Sequence, residues 1–469
     1  MRTALIAAAD WYESWVIFYL FAISTIYLVL SLTGLVDLLR RRFLQYDPLV
    51  ERTAEISSLM PPVSILAPAH NEASSVCHSV RAMLRLKYPE FEVIVINDGS
   101  KDDTLALLIQ EFHLYKSARY FDHTLASRPI RAVYESIDPI PLVVIDKENG
   151  GKSDALNAGL NVARYPLVCG VDADSVLEEH ALLRAVRPFL YDPDRVLAVG
   201  GIVRVANGCQ MTAGRVTEVG LPKSWIARFQ VVEYLRAFLG GRVAFSAYNC
   251  LVVISGAFGL FSKSALLAVR GYRTDTVGED MELVMRLHHW ARGQGRDYRI
   301  VFEPNPVCWT EVPESLATLR RQRNRWQRGT IETLWAHRKM LLRPKYAALG
   351  MVAFPYFVLF EMFGPLVEFS GYFLTLAGIG LGFFGYETAL LFLLASISFG
   401  VMLSVGSVVL EELTLRRYPK VYDMLLLVIS GVLESLGFRQ LLSVWRAGAF
   451  LDVLRGRTGW GVMERKGFG

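Results

Sequence analysis

Apolar residues along this chain fall into two regimes. Residues 15–36 form one predominantly apolar run, and four more follow at about 346–366, 368–386, 388–411 and 421–438, before an amphipathic stretch at 440–456. A helix needs roughly 20 such residues to cross a hydrocarbon core of about 30 Å, so these runs predict membrane-spanning helices. From Pro62 the pattern shortens. Residues 63–67, 91–96, 142–145 and 167–171 are brief, β-branched-rich apolar runs, and 73–86 between the first two has helical periodicity. Strand and helix in alternation predict an α/β domain with a mainly parallel sheet, inserted between α-helical transmembrane segments.

The polar clusters sharpen this. His70-Asn71-Glu72, Asn97-Asp98-Gly99-Ser100 and Asp172-Ala173-Asp174 each follow a strand run. Ligands of open α/β sheets gather at the carboxyl ends of strands, so three loops there predict a pocket. Asp172 and Asp174 are two apart, and strand alternation would turn both to one side. Such a pair is a hard oxygen site suited to Mg²⁺ or Mn²⁺ carrying a diphosphate; the bland alternative is a polar turn after a core strand. Glu148-Asn149-Gly150-Gly151-Lys152 lets backbone and a compact cation approach a phosphate, or is a helix entry capped by Ser153 or Asp154. The small-residue loop Ile254-Ser255-Gly256-Ala257 admits a bulky ligand. Glu279 and Asp280 suit a helix first turn, or one of them is a general base. The segment 319–329 carries five arginines around Trp326 and suits either lipid headgroups or a diphosphate with a stacked sugar.

Composition narrows the class. With 52% hydrophobic residues and a net charge of +5, the chain reads as a membrane protein and gives no argument for nucleic acid. Five scattered cysteines without C-x-x-C spacing argue against a disulfide framework or zinc site and suit a reducing, cytosolic environment for the middle domain. Asp10 and Glu13 precede the first apolar run and Arg40, Arg41 and Arg42 follow it, so the positive-inside rule puts the N-terminus outside and the middle domain in the cytosol. That run is too long for a cleaved signal peptide and its basic residues lie on the wrong side. The expected organisation is a transmembrane helix in 1–45, a linker in 46–61, a cytosolic catalytic domain in 62–310, interfacial helices in 311–345, about four transmembrane helices in 346–440, and an amphipathic helix with a tail in 441–469. Residues 222–248 suit a helix lying on the membrane surface or an ordinary domain helix. Four late crossings would leave Arg416, Arg417 and Lys420 outside, against the same rule; one broken or re-entrant helix in 346–386 would bring them in. Glu361 and Glu368, set within apolar runs, should face a polar cavity or a partner.

Together these residues resemble the membrane-integrated, processive family-2 glycosyltransferases: the hyaluronan, chitin, cellulose and poly-N-acetylglucosamine synthases. The resemblance covers nearly the whole chain. Its motifs run in order: Asn97-Asp98-Gly99-Ser100, Gly151-Lys152, Asp172-Ala173-Asp174, Ser255-Gly256, Gly278-Glu279-Asp280, and Gln322-x-x-Arg325-Trp326, the most specific. The tail Gly459-Trp460-Gly461-Val462-Met463-Glu464-Arg465 looks like a gating segment, with Val462 where the family usually has Thr. The resemblance implies a GT-A-type catalytic domain in a multi-pass cell-membrane protein. Asp280 would be the base, supported by Glu279. Asp98, Lys152, Asp172, Gln322 and Arg325 would hold the nucleotide, with Trp460 and Arg465 closing over it. Trp326, Ser255 and Gly256 would meet the acceptor. Asp174, with Asp172, would ligate the metal.

The implied reaction is inverting transfer from a UDP-sugar onto a growing β-linked exopolysaccharide, passed out through the enzyme's own helices. The rival is a non-processive relative that glycosylates a lipid carrier; a transporter or scaffold with a degenerate nucleotide site is a third reading. Too few residues follow the membrane region for a cyclic-dinucleotide-binding domain, so control of that kind would fall to an accessory or regulatory protein.

Overall fold

A computed structural model describes residues 2–45, 57, 59–212, 214–381, 386–418 and 420–456. Its catalytic part is built on twelve strands: β1 (Val63–Ala69), β2 (Phe91–Asp98), β3 (Leu114–Ser117), β4 (Ile130–Ser136), β5 (Leu142–Lys147), β6 (Leu167–Val171), β7 (Ser175–Leu177), β8 (Val196–Val205), β9 (Gln210–Thr212), β10 (Arg215–Glu218), β11 (Phe258–Ser262) and β12 (Arg299–Thr310). Ten of them form one sheet in the order β3-β4-β5-β2-β1-β6-β11-β8-β12-β7, while β9 and β10 make a separate hairpin. The expected parallel set is present as β5-β2-β1-β6. Beyond it the sheet is mixed: β4 runs against β5, β11 against both β6 and β8, and β7 against β12. Helices cover both faces of the parallel set, so its strands are buried on both sides and read as continuous apolar runs, all five residues of β6 among them.

The helices that matter for the site are α1 (Arg2–Gln45), α2 (Lys152–Val162), α3 (Trp225–Leu235), α4 (Glu279–Gly293), α5 (Leu316–Ala336), α6 (Gly364–Gly380), α7 (Tyr386–Thr414), α8 (Val421–Leu433) and α9 (Arg439–Leu454). α3 continues through wide turns at Arg236–Arg242 and packs on α1, α7 and α8, so 222–248 is a helix wedged between the sheet and the membrane helices.

Four segments are long and apolar enough to cross a membrane: Ser14–Arg40, Leu349–Ala377, Ile397–Thr414 and Val421–Leu454. Three of them follow residue 346, where the apolar runs suggested about four. The first two of those runs are one bent element, wide-turned over Leu349–Ala353 and Phe357–Met362 before α6.

The basic connection from α7 to α8 lies on the catalytic domain. Arg417 pairs with Glu178 at 2.9 Å, Lys420 with Glu218 at 2.5 Å, and Glu411 with Arg204 of β8 at 2.8 Å. The segment after it also returns to the domain, because Asn324 of α5 donates to Asp452 of α9 at 2.8 Å. α8 has 13 residues, about 20 Å, and the chain breaks helical geometry at Leu436 and Gly437 before α9. Both ends of 421–454 thus contact the catalytic domain or α5. Counting 346–366 and 368–386 as two crossings is what put Arg416, Arg417 and Lys420 on the far side; the structure joins those two runs in one bent element and sets Arg417 and Lys420 against the catalytic domain.

Arg204 and Glu411 are 2% and 4% exposed, and breaking such a buried pair leaves one charge without compensation. Glu411→Ala should lower stability by about 3–5 kcal/mol. Replacing both residues with leucine should restore most of it. Thermal unfolding of detergent-solubilised protein checks both outcomes.

Candidate active site

A cavity of about 1180 Å³ opens between the carboxyl ends of the parallel strands, α3, α4 and α5. It collects Lys152, Asp172, Asp174, Ser255, Gly256, Glu279, Asp280, Gln322, Arg325 and Trp326, which lie up to 174 positions apart (326 less 152).

Its sheet side is set by a lysine that does not touch it. Lys147, at the end of β5, has no exposed surface; its Nζ bonds Asp98 Oδ1 at 2.6 Å, Asp154 Oδ1 at 2.6 Å and the Glu148 carbonyl at 2.5 Å. The Asp98 carboxylate also accepts from the amides of Gly150 and Gly151, at 3.0 and 2.7 Å. This network holds the glycine loop at the entry to α2 and so aims Lys152 into the cavity. Asp98 is 3% exposed and is not part of the cavity wall. A nucleotide reaching it directly, as the resemblance implies, would have to displace those internal partners. Asp154 is spent on Lys147 and on the Arg128 amide, and the residue capping α2 is Gly151.

Asp172 and Asp174 lie in the turn between β6 and β7, so neither sits on a strand and alternation is not what brings them together. Asp172 Oδ1 meets Lys152 Nζ at 2.6 Å, and Asp174 is 7% exposed. Among the described residues no three His, Cys, Asp or Glu side chains gather as a metal cage. Two carboxylates fit the way Mg²⁺ and its kin are held, with diphosphate oxygens and water completing the shell.

Glu279 and Asp280 form the first turn of α4, where the helix dipole favours negative charge. Burial pushes the Glu279 carboxyl up, with Lys152, 3.5 Å away, pulling the other way. Burial works against the Lys152 ammonium too, but Asp172 and Glu279 outweigh it and hold the group above its ordinary value. Asp280 Oδ2 accepts from the Gly256 amide at 3.3 Å. A Cβ on Gly256 would come within 2.8 Å of Lys152 Nζ, so a larger residue here would push the lysine head aside.

α5 supplies the opposite wall. Gln322 is 8% exposed and its Oε1 lacks a partner among the described residues. The Arg325 charge acts on Glu279. Trp326 is 42% exposed, with the Arg323 guanidinium 4.3 Å over its ring, and Arg323 in turn pairs with Glu233 of α3 at 2.7 Å. α5 and the loop before α4 touch backbone to backbone: a Cβ on either Gly278 or Gly329 would lie 2.8 Å from the other's Cα. Glu332 locks the contact by accepting from Thr276 Oγ1 at 3.0 Å and the Val277 amide at 3.1 Å.

Sequence reasoning missed Lys147, Glu332, and the face that α3 and its extension present to the cavity: Tyr234, Phe238 and Arg242. Their four-residue spacing was the available signal. Burial brings the Arg242 guanidinium down to about 10, and Asp280 opposes that change. Trp460 and Arg465 lie outside the described residues.

The sequence pattern of glycosyltransferase-like family 2 matches residues 61–329. Poly-beta-1,6-N-acetyl-D-glucosamine synthase of Staphylococcus aureus is 30% identical over 319 residues, 68% of this chain and 64% of that one. The protein of the same name from Staphylococcus epidermidis is 30% identical over 292 residues, 62% and 60% of the two chains. The matches thus span less than two thirds of those relatives' length. Among solved structures, a mannosyltransferase from Pyrobaculum calidifontis in complex with GDP-Man and Mn²⁺ superposes with a TM-score of 0.48 at 17% identity, over 90% of this chain and 99% of that one.

His288, two turns along α4 from the carboxylates, is fully buried between Tyr298 Oη (2.6 Å) and the Leu251 carbonyl (2.9 Å), and burial lowers its pKa from 6.5 to about 4. A lowered basic group favours the folded state above the unfolded pKa, and that contribution fades as protons bind the unfolded chain. The melting temperature should therefore fall as pH drops from about 6.5 to about 4. His288→Gln should flatten the fall, which melting curves across that window would show.

Proposed function

We propose, from the premise that this chain belongs to glycosyltransferase-like family 2, that it is a processive synthase building a β-linked polysaccharide of N-acetylglucosamine from a UDP-sugar. It is a glycosyltransferase and a membrane protein. The observation that carries the finer reading is the single cavity in which Lys152, Asp172 and Asp174 face Glu279 and Asp280, with Trp326 at the α5 side.

The chemistry follows from those positions. The acceptor sugar rests on Trp326 and presents its hydroxyl to Asp280. As that oxygen attacks the anomeric carbon, its proton passes to the Asp280 carboxylate and the bond from the anomeric carbon to the diphosphate oxygen breaks, inverting the configuration. The electron pair leaves on UDP, whose charge Lys152, Arg325 and Gln322 meet. A divalent ion, Mg²⁺ or Mn²⁺, held by Asp174 and assisted by Asp172, would neutralise the diphosphate as it departs. Because Asp172 already pairs with Lys152, Asp174 is the more direct ligand. Glu279 keeps Lys152 charged and in place, and Asp98 acts through the glycine loop.

The passage outward is proposed through polar groups among the membrane helices. Phe357 borders the cavity, and one turn on Glu361 takes Arg446 at 3.1 Å and Tyr27 at 2.9 Å. Glu368 accepts from Ser443 and borders a second, small cavity with Tyr27, Arg439 and Gln440. Intramembrane carboxylates so partnered are the groups a hydrated saccharide would slide past. Product length separates this reading from the lipid-carrier alternative: label confined to a short lipid-extractable product would overturn processivity.

Purified protein should release UDP from UDP-N-acetylglucosamine, in a panel of UDP-sugars, only with a divalent ion. Asp280→Asn should reduce polymer synthesis by roughly 10²–10⁴-fold, the worth of a positioned base; full activity in that variant rejects the assignment. Asp174→Asn should raise the metal concentration needed for half-maximal turnover more than Asp172→Asn does, and equal losses would remove the division of roles.

A further inference from the structure

The helix running from Trp225 through Arg242 has two faces with different neighbours. One packs on α1, α7 and α8. The other places Tyr234, Phe238 and Arg242, each four residues from the next, along the cavity wall opposite the sheet loops. The Arg242 guanidinium carbon sits over Phe238, 3.9 Å from the ring centre, and Phe238 is 4% exposed. The arginine's Nη1 is shielded from solvent and has no hydrogen-bond partner among the described residues. An unpartnered guanidinium nitrogen costs free energy, and because Arg242 lines the cavity its fork is placed to donate to a bound oxygen once the side chain turns toward it.

The geometry points to an acceptor subsite: we propose that Tyr234, Phe238 and Arg242 seat the terminal acceptor sugar, with Arg242 donating to the amide carbonyl of its 2-acetamido group. This rests on the transferase reading above and names the sugar class that the site selects.

Three features select that occupant. Guanidinium only donates, so its partner must be an oxygen acceptor, and a carbonyl satisfies it without needing a donor in return. Glu233, Glu311 and Glu314 line the same region, which disfavours an anionic acceptor such as a lipid phosphate. Ala237, Val253 and Phe238 supply apolar surface for the acetamido methyl. The position also suits the acceptor over the donor. Arg242 stands on the segment packed against α1 and α7 and feels the charge of Asp280, the proposed base, whereas Lys152 and Asp172 pair at the sheet loops. Trp326 on α5 faces the same space and is tied to this helix through Arg323 and Glu233. The acceptor would thus lie between two helices, one stacking on its ring and the other recognising its substituent.

The test uses the full chain in lipid nanodiscs. UDP-N-acetylglucosamine binding is measured at equilibrium, and single-turnover transfer is measured onto an N-acetylglucosamine oligosaccharide and onto a glucose oligosaccharide of the same linkage. Arg242→Gln should leave the donor dissociation constant within about twofold. It should slow transfer to the N-acetylated acceptor by roughly 10- to 100-fold, the worth of one hydrogen bond from a charged donor. Transfer to the glucose acceptor should change far less, and Arg242→Lys should recover part of the loss. Matching melting temperatures show that the variants fold. A donor dissociation constant that weakens as much as transfer slows would place Arg242 on the donor and overturn the proposal. Equal losses on both oligosaccharides would overturn the amide contact. If the unsubstituted protein transfers to neither, the parent reading fails, a result visible without any variant.

Discussion

An ammonium group that water cannot reach has to be enclosed by its own counter-charges, and Lys147 imposes that condition at the centre of this molecule. Its Nζ draws Asp98 from the end of β2 and Asp154 from the first turn of α2 onto one point. Removing Lys147 would leave both carboxylates in a low-dielectric interior without their common counter-charge. With both in place, the glycine loop between them has one conformation, and Lys152 can emerge only toward Asp172 and Glu279. The mobile-looking sequence Glu148-Asn149-Gly150-Gly151 is therefore a rigid piece of the site.

Much of the fold was legible because parallel strands buried on both faces leave an unmistakable apolar signature. β1, β2, β5 and β6 announced themselves in this way, and the polar residues just beyond them marked the cavity's sheet side. β12 did not: it carries Pro304 and Pro306, which argue against a strand, and the chain tolerates them where its register to β8 slips between Phe302 and Val307. The site was legible where a short motif carries its chemistry locally, as in Asp172-Ala173-Asp174, Glu279-Asp280 and Gln322 through Trp326. It was hidden where a residue works through tertiary contact. Lys147 looks like the end of a strand, Asp98 looks like a ligand group but faces inward, and Arg242 acquires meaning only when Phe238 and Asp280 surround it.

Membrane order had the same character. Hydropathy finds apolar length but not direction, so one bent element over 349–377 resembles two crossings. Arg204, Glu178 and Glu218 place Glu411, Arg417 and Lys420 against the catalytic domain, because an ion pair needs both members within reach. Those contacts also bind the catalytic domain to its membrane helices near β7, directly after the Asp172–Asp174 turn.

The contact between Gly278 and Gly329 sets a fixed length within the machine. With the two glycine backbones in contact and Glu332 bonded to Thr276 and Val277 beside them, the helix that carries Trp326 and the loop that leads into Asp280 are held at one spacing. On the proposed mechanism, the platform and the base then form one gauge against which every newly added sugar is measured. Advance of the product by one residue must then come from the saccharide moving over a stationary frame.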